Sequence, residues 1–151
     1  MGLDMYLHAK RYISAFNESD KELANVIKAE RIKGMDVLGE PKYIECEAMY
    51  WRKANQIHKW FVDNVQDGND DCKAYYVGDD QLRALHDLCE AVLLDRTRAE
   101  ELLPVSSGFF FGSDAYGDGY FADISYTQTR LQAIIESEDL DDWTFEYHAS
   151  W

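Results

Sequence analysis

The stretch YWRKANQIHKWFV (50–62) carries Arg52, Lys53 and Lys59 and no acid, in a chain of 151 residues with 29 Asp and Glu against 15 Lys and Arg. Arg52 offers a planar fork of donors suited to phosphate or carboxylate. Asn55 presents a donor and an acceptor at once, and His58 does either according to its tautomer. Lys59 adds a point charge, and Trp51 and Trp60 add rings on which a base can stack. Together these types fit a nucleotide-like anion that is bound without turnover. A plainer account competes with this one. Arg52, Lys53 and Lys59 would pair with acids elsewhere, and His58, on an apolar face, would be a hydrogen-bonded core histidine.

These residues must be positioned by a helix if the apolar spacing is read at 100° per residue. Tyr50, Ala54, Ile57, Phe61 and Val65 then form one stripe over 50–66, with His58 inside it. Arg52, Lys59 and Asp63 fall opposite, Asn55 lies at the border, and Trp60 lies on a second side that also needs cover. Further candidates come from neighbouring elements. GLDMYLHA (2–9) alternates as a half-buried strand, with Leu3, Met5 and Leu7 on one side and Asp4, Tyr6 and His8 on the other. Tyr6 and His8 are therefore candidate walls of a pocket. SGFFFGS (107–113) reads as a buried strand or tight loop, and its functional reading places Ser107, Gly108 and Phe110 beside a ligand. Tyr120 opens a helical pattern over 120–137 and is a candidate stacking ring.

The remaining elements follow the same signals. Residues 19–34 read as a helix with Ser19 and Glu22 in capping-box spacing, Leu23, Val26, Ile27 and Ala29 inside, and a stop at Gly34. Residues 42–49 and 72–77 read as short strands. Residues 79–94 form an amphipathic helix with Leu82, Leu85, Cys89 and Val92 inside. Thr97 and Glu100 cap a short turn that ends at Pro104, and 143–151 alternates as a strand. Helices between terminal strands imply one α+β domain. Its mixed or antiparallel sheet includes both terminal strands and is packed by three to four helices.

Other chemistries lack their motifs. Asp67, Asn69 and Asp71 begin like a calcium loop, but Cys72 and Gly78 stand where glycine and glutamate are required. No C-x-x-C, H-E-x-x-H, phosphate loop or nucleophile elbow is present. The reading therefore favours a non-catalytic protein without metal or cofactor, and an enzyme that turns over the bound ligand stays open as a third alternative. Three widely spaced cysteines argue against a disulfide framework and for a reducing compartment, and no run suits a membrane span or a signal peptide. Net charge is −14, divided as +1 over residues 1–62 and −15 over 63–151. Direct contact with nucleic-acid backbone is disfavoured by that balance. An acidic face offered to a basic partner is compatible with it, and the high aromatic content leaves room for association between copies.

The segments GLDMYL, YWRKANQIHKWFV, DGNDDC, LLPVSSGFFFGS and HASW resemble those of a group of small bacteriophage and prophage proteins, over nearly the whole chain. The resemblance implies an accessory protein acting in the host bacterial cytoplasm, and small acidic phage proteins of this kind often counter host defence. Two functions follow as expectations. The first is a non-catalytic binder that sequesters a nucleotide-derived immune signal. The second is an acidic protein–protein inhibitor that mimics nucleic acid against a host defence nuclease, such as a CRISPR effector.

Overall fold

A computed structural model describes residues 2–30, 32, 35–108 and 111–151, with the backbone alone at Met35 and Asp36. Four strands form one antiparallel sheet: β1 (Asp4–Tyr12), β2 (Tyr43–Arg52), β3 (Tyr75–Val77) and β4 (Thr144–Ser150), in the order β2-β1-β4-β3. The two terminal strands are therefore central neighbours, with Tyr6 opposite His148 and Leu7 opposite Tyr147. Alternation divides each strand between two faces. Met5, Leu7, Ala9, Phe145, Tyr147 and Ala149 are buried beneath the helices, while Tyr6, His8, Glu146 and His148 point to the open side.

Four helices have ten residues or more: α1 (Glu18–Ala29), α3 (Asn55–Asn64), α4 (Asp79–Leu94) and α6 (Asp118–Ile135). The pieces α2 (Met35–Leu38) and α5 (Ala99–Leu102) are single turns. The architecture is α+β, as expected. The helices α3, α4 and α6 close one core with the sheet, through Ile57 and Phe61, through Leu82, Leu85, Cys89 and Val92, and through Tyr120, Ile124 and Leu131. Phe61 stacks on Tyr147 with ring centroids 3.8 Å apart, which ties α3 to the sheet. The outer edge of β2 is partly occupied by α6: the Tyr50 amide donates to the Tyr126 hydroxyl at 3.4 Å, and Arg130 donates to the Ala48 carbonyl at 2.8 Å. Burial pushes the Cys89 thiol pKa well up, so it behaves as an inert core residue.

Three expectations are corrected or resolved. The helix read over 50–66 begins only at Asn55, because Tyr50, Trp51 and Arg52 complete β2. Trp51 faces inward and donates its indole N–H to Thr127 at 2.8 Å, while Tyr50 and Arg52 face outward. Lys53 turns the chain with φ 61, and its amide reaches the Leu3 carbonyl at 2.8 Å. Second, of the strand and the tight loop expected over 107–113 it is the loop that forms at 106–108 and 111–113, and Phe109 and Phe110 lie outside the described residues. Third, α1 is capped by Asn17, whose side chain accepts from Ser19 and Asp20, and its only buried residue is Asp20. Val26 and Ala29, expected inside, are exposed, and Gly34 lies outside the described residues.

Candidate binding surface

The structure does not gather the candidate residues of 50–62 at one point. Arg52 ends β2 on the open side of the sheet, with an exposed side chain whose Nε lies 4.0 Å from Asp4. Lys59 sits on α3, where it pairs with Asp63 at 2.6 Å across one helical turn. Asn55 and His58 are both buried. Tyr120 is buried too, and its hydroxyl donates to the Leu103 carbonyl at 2.8 Å.

Asn55 acts as an internal latch. Its amide nitrogen donates to the carbonyls of Phe111 at 3.1 Å and Ser113 at 2.8 Å, and its amide oxygen accepts from the Ser106 amide at 2.9 Å. One side chain thus satisfies three backbone groups and holds Ser106, Phe111 and Ser113 on the start of α3. The glycines of this loop make room for protein. A Cβ on Gly108 would lie 2.7 Å from the Phe111 ring, and one on Gly112 would lie 2.9 Å from Lys53 Cβ. Ser107 and Gly108 remain exposed beside it.

His58 lies between a phenol and a carboxylate. Its Nδ1 is 2.8 Å from the Tyr147 hydroxyl and its Nε2 is 3.0 Å from Asp70. A carboxylate can only accept, so Nε2 carries the proton and Nδ1 accepts from the phenol. Phe111 and Trp151 flank the ring at 5.2 and 5.6 Å. Burial lowers the His58 pKa, opposed by Asp70. This is a satisfied core histidine, and its polar bonds position Asp70 and the chain end.

The open side of the sheet is where chemistry-bearing residues converge. Tyr6 stacks on His148 with centroids 4.8 Å apart and planes 14° from parallel. Tyr50 lies beside Tyr6 at 5.3 Å, and His8 meets the edge of His148 at 5.2 Å. Around these rings run polar bonds: Tyr50 to Asp4 at 2.5 Å, His8 Nδ1 to Glu45 at 2.5 Å, and Lys10 to Glu146 at 2.5 Å. The bond to His8 lowers the Glu45 pKa, the bond to Glu146 raises that of Lys10, and burial lowers that of His148. A cleft of about 270 Å³ adjoins the rings, lined by His8, Lys10, Glu45, Cys72, Glu146 and His148. At the opposite end stands Arg52, two residues beyond Tyr50, which on one strand face is a pleat repeat of about 7 Å.

Tyr6, His8 and Arg52 thus belong to this surface, and sequence reasoning missed Tyr50, His148, Lys10, Glu45 and Glu146. His148 already lies on the polar side of an alternating strand. Only the pairing of β4 with β1, which no local pattern records, brings it onto Tyr6. Among the described residues no group of three His, Cys, Asp or Glu side chains is placed to hold a metal ion, and no helix is long and apolar enough to cross a membrane. No protein-family pattern, curated protein or solved structure is significantly similar to this chain.

Proposed function

We propose that the protein is a non-catalytic binder that takes a nucleotide-derived small molecule on the open side of its sheet. The observation that carries this reading is the Tyr6–His148 stack, with Tyr50 beside it and Arg52 one pleat repeat away. Aromatic rings on an open sheet are platforms for flat heterocycles, since every base has a π-face. Arg52 has an exposed head, whereas Lys10 is engaged by Glu146. A base on the rings would therefore place its phosphate towards Arg52, where charge-assisted bonds are strongest. The acids around the rings oppose a polyanionic strand, so a small ligand fits better than nucleic acid. In the setting implied by the sequence resemblance, the ligand would be an immune signal, and the role would be to sequester it in the host cytoplasm.

The test is binding of ADP-ribose derivatives, cyclic nucleotides and cyclic dinucleotides by calorimetry, followed by mass spectrometry of the recovered ligand. The expected outcome is an unaltered ligand and affinity lost on Arg52→Ala in a folded protein. Unchanged affinity in that variant would remove the site.

A second reading, an acidic inhibitor of a host defence nuclease, is favoured by one observation. Asp139, Asp141 and Asp142 are exposed, and none is ion-paired among the described residues. In this reading charge reversals at those three positions abolish partner binding, and raised salt weakens it steeply.

A further inference from the structure

The outer edge of β2 is covered at one end and open at the other. Register fixes which of its backbone groups face outward. The Ile13 amide donates to the Lys42 carbonyl at 2.9 Å, and the same register runs on through Ile44 opposite Arg11 and Cys46 opposite Ala9. In an antiparallel pair, alternate residues turn their N–H and C=O to the neighbouring strand. Lys42, Ile44 and Cys46 therefore bond towards β1, and Tyr43, Glu45 and Glu47 direct theirs away from it. Past the irregularity at Leu7 and His8, the outward groups at Ala48 and Tyr50 are taken by Arg130 and Tyr126 of α6. No such bond reaches the outward groups of Tyr43, Glu45 or Glu47 among the described residues.

An apolar groove lies against that open stretch. It holds about 190 Å³ and is lined by Cys46 and Ala48 of β2, Ala9 of β1, Ile134 near the end of α6, and Leu140 and Trp143 ahead of β4. Cys46 faces the helix side of the sheet, as its partner Ala9 does. A strand added beyond β2 would lie about 4.8 Å away. The side chain that it sets opposite Cys46 would enter the groove, which has room for one or two aliphatic groups. The residues that it sets opposite Glu45 and Glu47 would stand on the other side, towards the open face.

Charge says what kind of strand fits. Glu45 and Glu47 are exposed, and directly opposite residues are stabilising when their charges differ and destabilising when they match. The far wall of the groove is acidic as well. Glu136, Glu138, Asp139, Asp141 and Asp142 are exposed, each next in sequence to the lining residues Ser137, Leu140 or Trp143. A second copy of β2 is disfavoured here, because it would set the two glutamates of one chain against those of the other. An extended segment that alternates basic and apolar residues meets every feature. Its backbone bonds the open edge, its apolar side chains fill the groove, and its positive charges face the acids.

We infer that the 43–47 edge of β2 is a docking site for an extended segment of a partner protein, in which basic and apolar residues alternate and which joins the sheet as a further antiparallel strand. The test is fluorescence anisotropy of labelled Gly-Lys-Val-Lys-Val-Lys-Gly on the full chain at physiological salt. This peptide is expected to bind, and its counterpart with glutamate for lysine is not. A lysine opposite Glu45 turns its amide towards β2. N-methylation of the lysine amides is therefore expected to weaken binding about tenfold or more, and N-methylation of the valine amides, which face away, to leave it within about twofold. Cys46→Phe, which fills the groove, is expected to abolish binding with an unchanged far-UV spectrum, and Glu47→Lys to narrow the preference for the lysine peptide. Absence of binding, binding indifferent to lysine N-methylation or to Cys46→Phe, or a preference unchanged by Glu47→Lys would overturn the assignment. So would a wild type that sediments as a dimer and a Cys46→Phe variant that sediments as a monomer, since a second copy would then hold the edge. The ligand reading does not depend on these results, because small-molecule binding at the rings is read separately by calorimetry.

Discussion

His58 and Asn55 show how polar side chains become structural once every polar atom has a partner. For Asn55 the consequence is measurable in urea. Asn55→Ala leaves the Ser106 amide and two carbonyls without their partner, and an orphaned buried group costs about 1–3 kcal/mol. The expected loss is about 2–3 kcal/mol in unfolding free energy, and a loss below about 0.5 kcal/mol would deny the latch. For His58 the consequence is a pH dependence. Its folded pKa lies below the ordinary 6.5 because burial disfavours the cation, and that of His148 is lowered by the same cause. The unfolded chain therefore binds more protons than the folded one in this range, and stability is lost as pH falls below 6.5. Thermal unfolding between pH 7.5 and 5.5 is expected to show a falling midpoint. A flatter slope is expected in His58→Gln, although that variant starts lower at pH 7.5.

At the scale of elements, what was legible in the sequence depended on whether one periodicity held over a full element. The strand at the start, the helices at 79–94 and 120–137 and the final strand each keep one period, and each formed close to its expected bounds. Residues 50–62 failed because two periods meet there. Met49 and Trp51 alternate with Tyr50 and Arg52 at period two, and Ala54, Ile57, His58 and Phe61 follow at period 3.6. In a short apolar run these two readings overlap. The junction is Lys53 in a left-handed conformation, φ 61, which a lysine does not announce. The buried place of His58 was legible because it lies wholly within the helical part. The glycines of the aromatic loop give an element-scale prediction. Gly112 has φ 92 and its missing Cβ would meet Lys53 at 2.9 Å, so Gly112→Ala should lower stability by about 1–3 kcal/mol. Gly119, within α6 and with open space around it, should gain about 0.4–1 kcal/mol on the same change. Equal effects at the two positions, read from denaturant midpoints, would contradict this account of the loop.

At the scale of the whole molecule the division of charge matters most. The candidate surface was only partly legible because it is assembled across the sheet. Tyr6 and His8 come from the first strand, Tyr50 and Arg52 from the second and His148 from the last, 140 or more residues away in sequence from Tyr6 and His8. Alternation within each strand gave the correct side for Tyr6, His8 and His148, but strand order is a tertiary fact. The two functional readings also separate at this scale, since the ring surface and the acids of 139–142 are different places. Reversing Asp139, Asp141 and Asp142 to lysine should leave small-ligand affinity within about twofold, because exposed charges beyond a Debye length of about 8 Å are screened at physiological salt. A large loss of ligand affinity in that variant would tie the acids to the site.

The central claim, that the open side of the sheet binds a nucleotide-like molecule, is tested most directly by a thermal-shift panel at fixed salt on the wild type, Arg52→Ala and Tyr6→Ala. A ligand at about 100 times its dissociation constant adds about 2.7 kcal/mol. For a chain of this length that raises the midpoint by roughly 5–10 °C. The account predicts such a rise for at least one ribonucleotide derivative on the wild type. It predicts no rise on either variant, each read against its own ligand-free midpoint. A flat panel, or a rise that survives both substitutions, would contradict it.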